Sequence, residues 1–392
     1  MVWPLVVVGS FSYTCLAFVW FTLPAFLTPI SDELGLSGTS AGILVGAVPL
    51  TYIPLALFSG LAVDRFGPGR TIAAGAMIYG TAQVARSSAD GFLPFLLFTF
   101  GIGIGATTVT FGLPKLVAEL FPANRTGLPS SVYLISSALG SASVFAFGRP
   151  LLEPLLGDWR AVFFWSGIVS IIYGVGWLFF VWISGLDRYQ GAVSFTLESF
   201  KADLRQVLTH RDMQFVVVIG TMYLSLTHGL QGWLPTILEA EGMAPALAGR
   251  TTSILVIALA LGTLIVPTLA DRFQARRKAL MVCGFMISIG VAVLIIGAVH
   301  NLIGLVIIVI GVGIGGVSPL IRMIPPSLPG VGKRLTGTAV GFIFAVGELG
   351  GFFGPFLIGT FHDMTGSFIP GLILLCAAGI VIIGVSAALR TV

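Results

Sequence analysis

Glu348 carries the clearest chemical consequence in this sequence. It lies within an apolar stretch, 336–360, on a helix that would place its carboxyl about 18 Å along at 1.5 Å per residue, near a bilayer midplane. An ionisable group at that depth is costly and marks function by default. Gly341, Ala345, Gly351 and Phe352 share its helical face and leave space beside the carboxyl. The expectation is a group that binds and releases a proton, and the alternative is a static hydrogen bond or ion pair. Two cations also interrupt apolar runs: Lys115 in 92–118 and Arg322 in 302–325. Arginine offers a planar fork to a carboxylate-like anion and lysine a point charge, so both are candidate substrate contacts. Either can instead snorkel, and Lys115 can pair with Glu119 one helical turn on. His228 is followed by Gln231, Trp233 and Pro235 within 212–237. A histidine there can relay a proton or donate to a ligand, and a proline in such a run can break the helix and expose backbone to a cavity. Tyr13, Thr14, Trp20 and Thr22 in the first apolar run are the remaining candidates to shape a pocket.

Composition dictates the elements that hold these residues. Of 392 residues, 56% are hydrophobic and 9% charged, whereas soluble domains carry about 25% charged. Stretches long enough to cross a bilayer as helices fall at 5–28, 39–62, 70–88, 92–118, 128–152, 160–183, 212–237, 248–270, 279–299, 302–325, 336–360 and 367–389. The predicted fold is therefore an all-α membrane protein with twelve spans. A polar interval, 185–211, splits these into residues 1–184 and 212–392, with a short helix expected between Leu197 and Leu208. Cys15, Cys283 and Cys376 lie in apolar stretches and offer no disulfide framework or metal spacing. The net charge of +4 is too small and scattered for a nucleic-acid footprint. Gly311, Gly313 and Gly316 match a dinucleotide fingerprint in spacing alone, since no strand precedes them. With no catalytic cluster, no enzyme and no cofactor is expected.

Charge sets the orientation. Arg65, Arg70, Arg125, the basic residues of 188–211, Arg272 to Lys278, Lys333, Arg334 and Arg390 fall on one side. Arg86, Arg160 and Arg250 fall on the other. Both termini are thus expected in the cytoplasm and the chain in the plasma (inner) membrane. The halves also repeat: Gly101-Ile-Gly-Ile-Gly105 returns as Gly311-Val-Gly-Ile-Gly315, and Ala138-Leu139-Gly140 as Glu348-Leu349-Gly350. Repeated halves in the same orientation are a transporter arrangement. Arg149 and Glu153, four residues apart, form either an outer gate pair or an interfacial salt bridge.

The loop Gly60-Leu-Ala-Val-Asp64-Arg65-Phe-Gly67-Pro-Gly-Arg70 resembles the signature loop of the major facilitator superfamily, and Ala270-Asp271-Arg272-Phe273 resembles its second-half echo. Two fragments, Leu113-Pro114-Lys115-Leu-Val-Ala-Glu119-Leu-Phe121-Pro122 and Trp233-Leu-Pro235-Thr-Ile-Leu238, are similar to nitrate/nitrite, cyanate and oxalate-type small-anion porters. The superfamily resemblance implies two six-helix bundles rocking about a cavity lined by spans one, four, seven and ten, so that Lys115 and Arg322 would face the path from opposite halves. It also implies conformational gating roles for Asp64, Arg65, Arg70, Asp271 and Arg272, whose charges at helix ends can lock the bundles together. Proton-coupled members of this family often carry an arginine where Leu97 stands here, and the Gly-Pro antiporter signature of span five is reduced to Gly148-Arg149-Pro150. Both departures weigh against a drug:proton antiporter. The expected function is secondary transport of a small anion by alternating access, as symport or uniport rather than export, with Glu348 as the protonation or coupling site and a monomer in the lipid bilayer as the transporting unit. The alternatives are an exporter of neutral or cationic amphiphiles and a transporter-like receptor.

Overall fold

The computed structural model describes residues 2–122, 125–186, 197–297 and 302–390. Asp187 and Arg188 of the linker lie outside the described residues, and so do the side chains of Lys201, Lys333 and Arg334. Among the described residues every regular element is helical. Apolar side chains alone do not require helices. A bilayer does, because a backbone without water must satisfy its own N–H and C=O groups.

The elements run α1 (Val2–Ala25), α2 (Leu27–Leu34), α3 (Gly38–Phe66), α4 (Pro68–Ser87), α5 (Phe92–Leu120), α6 (Gly127–Phe147), α7 (Glu153–Leu156) and α8 (Trp159–Ser184). A π-helical turn, Gly148–Leu152, joins α6 to α7. Then follow α9 (Leu197–Thr209), α10 (Arg211–Ala240), α11 (Pro245–Arg272), α12 (Arg276–Ile296), α13 (Ile303–Met323), α14 (Gly332–Thr365) and α15 (Ile369–Ala387). Eleven of these spans are long and apolar enough to cross a membrane. The remaining predicted span is α4, a full 20-residue helix whose Gly, Ala, Thr and Gln content lowers its hydropathy. It tolerates that polarity because it packs against both α5 and α8 and buries most of its length. The helix expected in the linker is α9. Pro235 does not break α10, which continues to Ala240.

The chain forms two compact units. The first comprises Met1–Leu36, Ala47–Val193 and Leu238–Ser253, and the second Ser37–Gly46, Ser194–Ile237 and Ile254–Val392. The core of the first unit gathers Leu16, Val19, Ile72, Tyr79, Ile102, Leu113 and Trp177. The Trp177 indole donates to the Gly69 carbonyl at 2.9 Å, fixing α8 to the start of α4. Gly67 turns the chain between α3 and α4 at φ 86°, a left-handed value that favours glycine.

Small residues set the helix spacing in both units. A side chain at Gly140 of α6 would strike the Thr14 carbonyl of α1, and one at Gly350 of α14 would strike the Thr221 carbonyl of α10. The repeat seen in the sequence is therefore one packing device used twice. In the second unit Gly347, Gly350 and Gly354 let α14 approach α10 closely along three successive turns.

Candidate functional site

That close approach sets Glu348. Its carboxylate Oε2 stands 3.5 Å from His228 Nε2 of α10, and the two residues are only 8% and 9% exposed. At this distance the pair is in electrostatic contact but short of a hydrogen bond, and Oε2 makes no hydrogen bond among the described residues. A buried carboxylate oxygen without a donor is costly, and protonating it relieves that cost. The sequence placed both groups at depth, but it did not pair them.

Arg322 of α13 is exposed, and its guanidinium lies 4.3 Å from the ring centroid of Phe344 on α14. Phe344 precedes Glu348 by one helical turn, so Arg322 flanks the same stripe of α14. Continuing along that stripe, Phe352 meets Gly46 of α3, and Pro355 meets Gly42, where a Cβ would lie 2.6 Å from the Pro355 carbonyl oxygen. The stripe ends at Asp363, whose carboxylate accepts from the backbone N–H groups of Gly38 at 2.6 Å and Thr39 at 2.7 Å. These are unsatisfied donors of the first turn of α3, and a carboxylate is the favoured group there. The spacing of Gly38, Gly42 and Gly46 hinted at a close contact, but nothing in the sequence named its partner.

Trp233 is buried and donates its indole N–H to the Pro355 carbonyl at 2.9 Å. It thereby pins α10 to α14 beside this contact. Gln231 is buried as well. Pro235 leaves one carbonyl of α10 without its helical donor while the helix stays continuous.

In the first unit, Lys115 reaches across from α5 to Asp64 of α3 at 2.8 Å. The candidate anion contact and a candidate gating residue are thus one ion pair, about one-third exposed on each side. Asp271 pairs with Arg276 at 2.8 Å, while Arg272 and Arg65 lie over the rings of Phe273 and Phe66. Arg149 bonds Glu153 at 2.9 Å and approaches Glu239 of α10 at 3.6 Å. Tyr13 faces Tyr133 of α6, with ring centroids 6.3 Å apart.

Two further features escaped the sequence reading. Arg86, counted there with the charges of one face, is 1% exposed, its guanidinium between the rings of Phe95 and Phe163 at 4.7 and 4.9 Å. The aromatic faces supply the attraction that a loop position would take from water. Glu33 of α2 accepts from Trp159 at 2.6 Å and from Arg160 at 2.9 Å, and Arg160 also donates to the Ser87 and Ala89 carbonyls.

Residues 9–355 match the family model described as Major Facilitator Superfamily. The 3-(3-hydroxy-phenyl)propionate transporter of Escherichia coli K12 is 26% identical over 372 residues, covering 91% of this chain and 86% of the relative. A putative tartrate transporter of Agrobacterium vitis is 22% identical over 370 residues, covering 88% and 80%. Among solved structures, a bacterial homolog of the human lysosomal transporter Spinster, in an inward-facing and unoccupied conformation, superposes with a TM-score of 0.78. It is 15% identical, with 98% of this chain and 95% of that one covered.

Proposed function

The chain belongs to the major facilitator superfamily, a family of membrane transporters and not of enzymes, and on that premise we propose that it carries a small organic anion in symport with a proton. The observation that carries this reading is the buried Glu348 carboxylate, held 3.5 Å from His228 with an oxygen lacking a hydrogen bond among the described residues. A group so placed is neutral at little cost when protonated and demands compensation when ionised. In the proposed cycle, protonation of Glu348 removes its repulsion of an incoming anion, so the two load together. His228 is the neighbour through which the proton arrives, and Arg322 provides the fork for the anion's carboxylate. The organic acids in the names of two relatives support this substrate class.

Residues 1–184 and 212–392 are the two bundles of the proposed alternating-access cycle, joined by the 185–211 linker, with both termini in the cytoplasm and the single chain as the transporting unit. On this orientation the Asp363 cap on α3 and the Arg149 cluster close the outer side. Asp64 with Lys115, and Asp271 with Arg276, belong to the inner gate. Lys115 is assigned to gating rather than to the anion, because its ammonium is already engaged by Asp64.

The test is Glu348→Gln in proteoliposomes of the purified protein. The substitution keeps size and removes titration, so pH-driven accumulation of the anion is expected to vanish while anion exchange persists. Accumulation unchanged in the variant would contradict the assignment. Transport of cationic amphiphiles with no anion exchange would favour the exporter reading instead.

A further inference from the structure

The first unit, taken by itself, carries an aromatic surface on α1. Tyr13 and Trp20 lie seven residues apart on α1, hence on one face of the helix at about 100° per residue. Each is half-buried, its back packed on the core that contains Leu16, Val19 and Ile102. Each also meets a second ring from another helix. Tyr13 faces Tyr133 of α6 at 6.3 Å with planes inclined by 30°, and Trp20 faces Tyr52 of α3 at 6.0 Å with planes inclined by 32°. The Tyr52 hydroxyl is held by Thr110 of α5 at 2.9 Å. Three helices of the unit thus contribute rings to this wall, and a fourth, α5, contributes the Thr110 hydroxyl.

This wall is not the lipid-facing side of α1. The most exposed large residues of that helix include Val7 and Phe11, at 54% and 47%. Phe11 precedes Trp20 by nine residues, which at about 100° each is two and a half turns, so the two side chains leave the helix in opposite directions. A membrane helix with one stripe toward lipid and a second partly exposed stripe facing away has that second stripe inside the protein.

We infer that this wall lines the anion's path and selects a cargo with a flat aromatic body, an aryl carboxylate, over a hydroxylated aliphatic acid. The inference rests on the reading of the cargo as an organic anion. Rings at these separations and tilts are in the range where offset and edge contacts with a third ring add to the area buried. A polyhydroxylated acid leaves polar atoms unsatisfied unless each hydroxyl finds a partner, and a wall of rings offers no more than one hydroxyl or N–H per ring. The wall presents phenol and indole rings, and the Tyr52 hydroxyl is already bonded to Thr110.

The experiment is competition against anion exchange in proteoliposomes of the full chain, with benzoate and cinnamate set against tartrate and galactarate. The aryl acids are expected to compete at lower concentrations. Trp20→Leu and Tyr133→Leu are expected to weaken aryl competition about tenfold, roughly the contribution of one ring contact, with much less effect on the aliphatic acids. Trp20→Phe keeps a ring and is expected to retain most of the aryl preference, which separates loss of stacking from loss of folding. Preferential exchange of tartrate or galactarate would overturn the inference while leaving anion transport intact. Equal weakening for all four acids in Trp20→Leu, with Trp20→Phe behaving the same way, would also overturn it. Exchange of neither class would overturn the anion reading itself.

Discussion

At the scale of single residues, the charged groups of this protein differ in what compensates them. Arg86 is buried between two rings, Lys115 is about one-third exposed against Asp64, and Glu348 is buried beside His228 with an oxygen lacking a hydrogen bond among the described residues. Only the last stands where a change of protonation alters the local balance most. Glu33 illustrates the opposite case outside the spans. Slight burial raises its pKa, and the hydrogen bonds from Trp159 and Arg160 with the Arg160 charge outweigh that, leaving it below the ordinary carboxylate value. A depressed carboxyl contributes stability that is present above the unfolded value, about 4.3, and is lost as pH falls through the lower folded value. The melting temperature in detergent is therefore expected to drop on acidification below about pH 4. Glu33→Gln is expected to lower it at neutral pH and flatten that part of the profile. An identical acid limb in the variant would show that Glu33 contributes nothing there.

The element that organises the second unit is α14. One stripe of it carries Phe344 under Arg322, Glu348 beside His228, Phe352 and Pro355 against the glycines of α3, and Asp363 at the α3 N-terminus. In the proposed cycle this stripe links Glu348 to the contact with α3, with Gly350, Gly351, Gly354 and Pro355 as the points where α14 can bend. Gly42→Leu places a side chain where a Cβ already lies 2.6 Å from the Pro355 carbonyl oxygen. It is expected to hold this end apart and abolish transport while the protein still elutes as a folded species. Transport at the normal rate in Gly42→Leu would show that the contact does not need to close. The apolar spans were legible in the sequence because a bilayer-length run leaves little choice of structure. Even α4 was placed, although its composition is too polar to mark it without its neighbours. What could not be read was partnership: Gly38 and Asp363 are 325 residues apart, and no periodicity encodes which helices meet. Lys115 shows the same gap, since its depth was legible and its pairing with Asp64 was not.

At the scale of the whole molecule, the repeated halves supply equivalent packing and unequal chemistry. Gly140 and Gly350 occupy corresponding close contacts in the two halves, yet the residue two before each is Ala138 in one and Glu348 in the other. Repeated halves with a carboxyl at this position in one of them only are what the proposed coupling of a proton to that half requires. This division explains why the family and the class of function were legible in a loop motif and in composition. Glu348, His228 and Arg322 were legible only as separate candidates.

The central claim is that proton and anion move together through Glu348. The most direct measurement is the internal pH of proteoliposomes loaded with a pH-sensitive dye, recorded as an organic-anion gradient is applied with no initial pH difference. The account predicts a rapid internal acidification that depends on the anion and is absent with Glu348→Gln, although the variant still exchanges labelled anion. Anion uptake without any proton movement in the unaltered protein, or acidification that persists in the variant, would contradict it.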